Sequence, residues 1–440
     1  MNISHMPLAA VTLLVLSAVL PGCTAPGSDA APKGVPQAAE PEPVTLKVYP
    51  ALSNYNDENK FNAEIGNDVK AKFPHIRLEL LKVEKGKEIQ DLVAAGDVPD
   101  MILTGSGSMR NLLEPYDLQY DLSDLVKKHA FPLQTVDPVL IDMAKNSLSQ
   151  QGVWGLPFQV NVLVMFYNRD LLDKFGMPYP KNGMTWDEVY DLAQKMTRTD
   201  GGTAYRGLSS YYMGVLLTNN QLSLSPLDLK ENKASVNTDG FKKLFSSLGR
   251  FYAIAGNEMA DTGEPASFDK GFVALSPHTS EKYTQYPSTN NTLHWDMVSF
   301  PVFADRPGVG AQPNPFYMTI AKTSKHKDAA FQVMSYLLSE EVQLKWAKQG
   351  RIPALKNKQI EQQFGSEQPL LKGKNVSAFF YNALASPPPP RAPGLVNVAA
   401  GPYVDAAFSS MVKKGVDVNT ALRNAEEQLN QAIAAEKVKQ

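Results

Sequence analysis

The residues able to carry covalent or metal chemistry are few and poorly spaced for it. A single cysteine, Cys23, excludes an internal disulfide framework and any multi-cysteine metal site. Six histidines, His5, His75, His129, His278, His294 and His326, are scattered with no HExxH-like pair. His278 and His294 therefore read as solvated or hydrogen-bonded imidazoles rather than metal ligands. Gly105-Ser106-Gly107-Ser108 has the wrong order for a G-x-S-x-G elbow, and Arg110 stands where a dinucleotide loop needs its third glycine. Gly86-Lys87 is followed by Glu88, so it is no phosphate-binding Walker loop. With 45 acidic residues, a carboxylate pair of glycosidase spacing cannot be tested by spacing alone. No catalytic residue, metal or cofactor is expected.

The chain has 440 residues, enough for two or three domains or one large two-lobed unit. Its 43% hydrophobic and 20% charged residues are ordinary globular composition. A net charge of -2 gives no basic surface for nucleic acid. Near the start, Leu8–Leu20 is an apolar run. It falls short of the roughly 20 residues that span a bilayer but suits the core of a signal peptide, taken here as residues 1–22. Leu20-Pro21-Gly22-Cys23 follows and resembles the lipobox of bacterial lipoproteins, with Pro21 in place of the usual small residue and no Lys or Arg in residues 1–7. The resemblance implies cleavage before Cys23 and acylation of its sulfur; an ordinary secretion signal with a chance cysteine is the alternative. Residues 24–43 are rich in proline and alanine and have no aromatic, so they read as an extended tether. A lipid anchor on the outer face of the cell membrane follows from that reading.

The folded body opens with strand, helix, strand. Val44–Tyr49 alternates apolar and polar residues, Phe61, Ile65, Val69 and Phe73 recur on one helix face, and Ile76–Leu80 alternates again. A helix over roughly 86–95 stops at Gly96 and leads into Met101–Leu103. This rhythm predicts a parallel sheet whose ligands bind beyond the carboxyl ends of its strands, in the loops Pro50–Asp57 and Thr104–Ser108. An apolar strand is expected at Val160–Tyr167. Thr185 with Glu188 forms a capping box for a helix whose buried face is Val189, Leu192, Ala193 and Met196. A further helix is expected over 328–339. Pro387–Pro390 reads as a stiff surface loop.

Six segments follow one another along the chain: Pro99-Asp100-Met101-Ile102, the turn Gly152–Pro157, Tyr167–Asp170, Thr185–Glu188, Phe268–Leu275 and Gly350–Ala354. In this order they resemble the family 1 extracellular solute-binding proteins, receptors of carbohydrate ABC importers. The tail from Gly415 through Ala425 and Leu429 resembles the family's closing helix. The resemblance implies an α/β fold of two lobes, the Venus-flytrap architecture of periplasmic binding proteins, with the ligand in the cleft between them. In family terms the first lobe would be 44–159 plus 301–327, and the second 160–300 plus 328–430. The chain would cross near Phe158–Val162, Ser299–Val302 and Asp328. The implied partners are a carbohydrate and the membrane permease subunits of an ABC importer, with the receptor itself a monomer. A surface lipoprotein that binds polysaccharide or peptide without a transporter shares fold and anchor and stays open as an alternative.

A sugar offers hydroxyl edges and apolar C–H faces, so its pocket needs amides, carboxylates or hydroxyls together with aromatic rings. By the family pattern the ligand contacts would be Asn54 and Tyr55, Thr104 and Ser106, Asn161, and Phe316, which follows Asn314-Pro315 where the family has two glycines. Tyr211, beside Tyr212, lies in a second-lobe loop and is a further candidate. Trp154 and Trp295 sit near the expected crossings, and Trp295 is taken as a candidate stacking platform. Trp186 reads as core. Neutral sugars are favoured, since no cluster of arginine and lysine is evident.

Overall fold

The computed structural model describes residues 41–259, 266–286 and 292–439. The expected signal peptide, Cys23 and nearly all of the tether lie outside the described residues. The strands are β1 (Val44–Pro50), β2 (Ile76–Leu80), β3 (Met101–Gly105), β4 (Leu156–Asn161), β5 (Leu163–Asn168), β6 (Arg198–Asp200), β7 (Thr203–Leu208), β8 (Val273–Thr279), β9 (Trp295–Ser299) and β10 (Asn314–Ile320). They form two sheets of five, in the orders β2-β1-β3-β10-β4 and β6-β7-β8-β5-β9.

The first sheet follows from the opening alternation. Leu46 and Val48 of β1 turn into the core, and β1 pairs in parallel with β2 and β3, as crossover helices require. The helical stretch between β1 and β2 buries Phe61, Ile65 and Val69 on one face, with a π turn at Asn62–Gly66. Late in the chain β10 inserts antiparallel between β3 and β4. That reversal leaves β1, β2, β3 and β4 all pointing the same way, with their carboxyl ends along one edge.

The apolar run expected as one strand at Val160–Tyr167 belongs to two. Its first residues finish β4 in the first sheet, Val162 breaks the run, and β5 begins in the second. Both strands are buried on both faces, so no alternation marks the break. At the break the Ser280 N–H donates to the Val162 carbonyl at 2.7 Å, and the Val162 N–H donates to Ser280 Oγ at 3.2 Å. These bonds tie the crossing to the carboxyl end of β8, which runs antiparallel to β5.

The second sheet is covered by the helix Trp186–Met196. Its capping box forms as expected, with the Glu188 N–H on Thr185 Oγ1 and the Thr185 N–H on Glu188 Oε2. Val189, Leu192, Ala193 and Met196 are all buried. Trp186 is core: its Nε1 donates to Gln221, and its ring meets the edges of Phe251 and Phe300. The closing helices Gly401–Lys414 and Val418–Lys437 pack on the helix Asp239–Tyr252. The helix Lys327–Leu337 packs instead on β1, β4 and β10 of the first sheet. That differs from the expectation that residues 328–430 all join the second lobe. The cause is local: the helix follows β10 directly and buries Ala330, Phe331 and Met334 against the sheet that β10 has just completed.

Trp295 also departs from its expected role. It opens β9 only 5% exposed, packed edge-on against Phe166 at 5.6 Å and Tyr286 at 5.4 Å, with the Lys374 ammonium 4.6 Å from its ring centre. A ring enclosed in this way has no free face for a ligand. Trp295→Ala should therefore lower folding stability by about 3–5 kcal/mol, read by urea denaturation. An unchanged urea midpoint would contradict its placement in the core.

Candidate functional site

Because the crossing at Val162 holds β4 against β8, the carboxyl ends of both sheets border one space. There a cavity of about 330 Å³ opens. Four of the expected contacts line it: Asn54 and Tyr55 in the turn after β1, Asn161 at the end of β4, and Phe316 on β10. Tyr55 is held in place by its own chemistry. Its ring packs edge-on against Phe158 at 5.6 Å, and its hydroxyl donates to Gln159 Oε1 at 2.9 Å. Burial pushes that hydroxyl well above its ordinary range, so it stays a donor.

The remaining polar wall was not foreseen. Glu281 follows β8 and accepts from Asn161 Nδ2 at 2.5 Å, joining the two sheets across the cavity floor. Across from it Arg351 pairs with Glu64 at 3.1 Å and lies over the Trp346 ring. Lys60 completes the charged set at 4.0 Å from Glu64. Arg351 Nη1 is buried with no hydrogen-bond acceptor among the described residues. Tyr283 fixes the Arg351 loop by donating to the Gly350 carbonyl at 3.2 Å, and Gly350 there adopts φ +88°, which favours glycine. Phe316, Tyr283, Phe364 and Phe379 supply apolar wall. The cavity thus mixes amide, carboxylate and guanidinium groups with rings, which suits a polyhydroxylated solute with apolar faces. Of these missed residues only Arg351 carried a signal, because it sits inside the Gly350–Ala354 segment that was already singled out.

The other expected contacts lie elsewhere. Thr104 is fully buried in β3, opposite Tyr317, with its hydroxyl on the neighbouring Gly105 carbonyl, so it faces the sheet and not the cavity. Ser106 lines a separate cavity. Tyr211 is 36% exposed and stacks on His278, its ring centre 5.3 Å away, outside both cavities. Burial and the Lys282 charge push His278 down to about 4, so this ring is neutral near pH 7. Tyr212 donates to Asp405 and stacks on Phe408. Trp154 is buried, with its Nε1 on the Gln150 carbonyl. His294 pairs with Asp170 at 2.7 Å.

Burial lifts the Glu281 carboxyl above its ordinary range, against the Asn161 hydrogen bond and the Lys60 charge, which pull it down. Above the ordinary carboxylate range the native state then binds more protons than the unfolded chain. Stability should fall as pH rises through the lifted value. Glu281→Gln keeps an acceptor for Asn161 and removes the charge. Its melting temperature should exceed that of the wild type at neutral and alkaline pH, with the gap closing on acidification. A gap that does not change with pH would contradict the assignment.

Known proteins share this fold. The chain matches at 26% identity over 220 residues the arabinooligosaccharide-binding protein of Bacillus subtilis, covering 48% of this chain and 46% of that protein. The chain therefore spans about half the length of the curated relative it matches. An ABC substrate-binding protein of Listeria monocytogenes, solved with cycloalternan, superposes with a TM-score of 0.65 at 18% identity, over 89% of this chain and 100% of that one. The cyclic alpha-maltosyl-1,6-maltose binding protein of Arthrobacter globiformis gives 0.69 at 16% identity, over 89% and 99%. Both are similar in fold, the two-lobed periplasmic-binding-protein architecture. The family model of the bacterial extracellular solute-binding proteins matches residues 55–344, well over half of the chain, and the chain belongs to that family.

Proposed function

We propose that this protein captures a sugar or oligosaccharide in the cavity at the carboxyl edge of its two sheets and hands it to the permease of an ABC importer. The observation that carries the reading is the make-up of that cavity. Hydrogen-bonding groups from both sheets, Asn161 and Glu281 above all, face it beside the rings of Tyr55 and Phe316. Sugar hydroxyls need partners that both donate and accept, and sugar C–H faces need rings. The Bacillus subtilis relative supports an oligosaccharide as the solute class. In this reading the residues before β1 form signal, lipid-bearing Cys23 and tether, and the two lobes close on the solute about the crossing at Val162. No described helix is long and apolar enough to cross a membrane.

A thermal-shift screen of arabino- and malto-oligosaccharides tests the function. A true ligand held at a hundredfold excess over its dissociation constant adds about 2.7 kcal/mol to the folded state. Asn161→Ala and Phe316→Ala should each weaken its binding about tenfold or more, in the range of one lost hydrogen-bond partner or one lost ring. Full affinity in both variants would place the solute elsewhere. For the anchor, Cys23→Ala should release the protein into the medium or leave unprocessed precursor. A variant that stays on the membrane at its mature size would overturn the lipid reading.

A further inference from the structure

The segment Pro387–Pro390 spans between elements of the two sheets. Asn146, at the end of the helix Pro138–Asn146, donates to the Pro388 carbonyl at 3.3 Å. On the other side Ser223 Oγ donates to the Ser386 carbonyl at 2.6 Å, and the Ala392 N–H to the Leu229 carbonyl at 2.7 Å. Four prolines in a row have fixed φ and no N–H, so they make a stiff wall without donors of their own. Beneath them lies a cavity of about 410 Å³. It adjoins the first cavity: the Phe316 backbone pairs with Gly105, and the next residue, Ser106, lines this second space.

The charge of the two cavities differs. The first holds Lys60 and Arg351 against Glu64 and Glu281. Among the described residues the second is lined by two cations, Arg110 and Arg391, and by no carboxylate. Arg391 is fixed by Nε on the Asp228 carbonyl and Nη1 on the Val396 carbonyl, both at 2.9 Å. Its Nη2 is buried and finds no acceptor among the described residues. Arg110 is only loosely engaged, its Nε 3.4 Å from the Ser147 carbonyl and 3.8 Å from Glu114. Glu114 is itself occupied by the N–H and hydroxyl of Ser149. Burial and the Arg110 charge lower the pKa of Arg391, with Asp228 opposing, so the two guanidiniums act on each other. Ser106, Asn111 and Thr218 add neutral partners on the same wall.

Two guanidiniums line one space, and the N–H of Arg391 that its backbone acceptors leave over is buried, which costs free energy that an anion in the cavity would offset. We propose that the cavity under Pro387–Pro390 binds an oxyanion of the captured solute, a carboxylate or a phosphate, between Arg110 and Arg391. The inference rests on the receptor reading only in taking the anion to be part of a solute. It adds an anionic group to the sugar expected in the first cavity.

Calorimetric titration of the purified full-length protein with inorganic phosphate and with D-glucuronate tests it. At least one should bind saturably, and Arg391→Gln and Arg110→Gln should each weaken that binding tenfold or more. Arg391→Lys, which keeps the charge but loses the fork, should fall between. Phosphate alone would mark a phosphorylated solute, and glucuronate an acidic sugar. Affinity for arabinotriose should stay within twofold in every variant, because no guanidinium of this cavity lines the first. Absence of saturable binding by either anion, or binding unchanged in both glutamine variants, would overturn the proposal. Failure of the receptor reading shows separately, as a wild-type protein that binds no oligosaccharide, neutral or acidic.

Discussion

Two hydrogen bonds between Val162 and Ser280 hold the molecule's most consequential junction. They fix the point where an unbroken apolar run leaves one sheet and enters the other. Together with the β5–β8 pairing that starts at Leu163 and Thr279, they keep the carboxyl ends of β4 and β8 beside one space. With them Asn161 lies one residue before the crossing and Glu281 one residue after Ser280, and the two side chains meet. The floor of the cavity is thus a direct result of how the chain changes sheets. A hinge at this point would move Asn161 and Glu281 together, keeping the floor intact while the walls approach.

The walls obey a different constraint. Ion pairs inside a cavity are weak sources of stability, because desolvation opposes their attraction. Arg351 is held by a loop whose Gly350 takes a left-handed turn and whose Gly350 carbonyl is bonded to Tyr283, while Glu64 is held by the helical turn Asn62–Gly66. Such a pair presents fixed donors and acceptors at little further cost when a solute arrives, since their freedom is already lost. The second cavity is lined by Arg110 and Arg391 and, among the described residues, by no carboxylate, Glu114 lying behind Arg110 at 3.8 Å. The fold therefore carries two cavities of different character, one charge-balanced and one cationic.

Local rules made much of the fold legible before any coordinates. The alternation of Val44–Tyr49, the four-residue recurrence of Phe61 to Val69, and the Thr185–Glu188 capping box each depend on neighbours in sequence. Each appears as expected. The break at Val162 was hidden because β4 and β5 are buried on both faces and look alike. The antiparallel β10, and the helix that follows it onto the first sheet, depend on a partner strand some two hundred residues earlier. Ring counting misled at Trp295, since an aromatic residue reads the same in a core as in a cleft. Asn54 and Tyr55 were reachable through the loop after the first strand, and Asn161 and Phe316 through the family resemblance. Glu281 was not, for a single acid after an apolar strand carries no mark of the amide it will meet. Arg110 and Arg391 lie far apart in sequence, and only the folded chain brings them to one cavity.

The central claim is that the solute sits where the carboxyl ends of β1, β4 and β8 converge. Hydrogen–deuterium exchange, measured with and without a bound oligosaccharide, addresses it directly. Binding should slow exchange in three separate stretches, residues 53–64, 279–284 and 349–352, while the outer strands β2 and β6 stay unchanged. Protection confined to segments outside these three, with none of them slowed, would contradict the account.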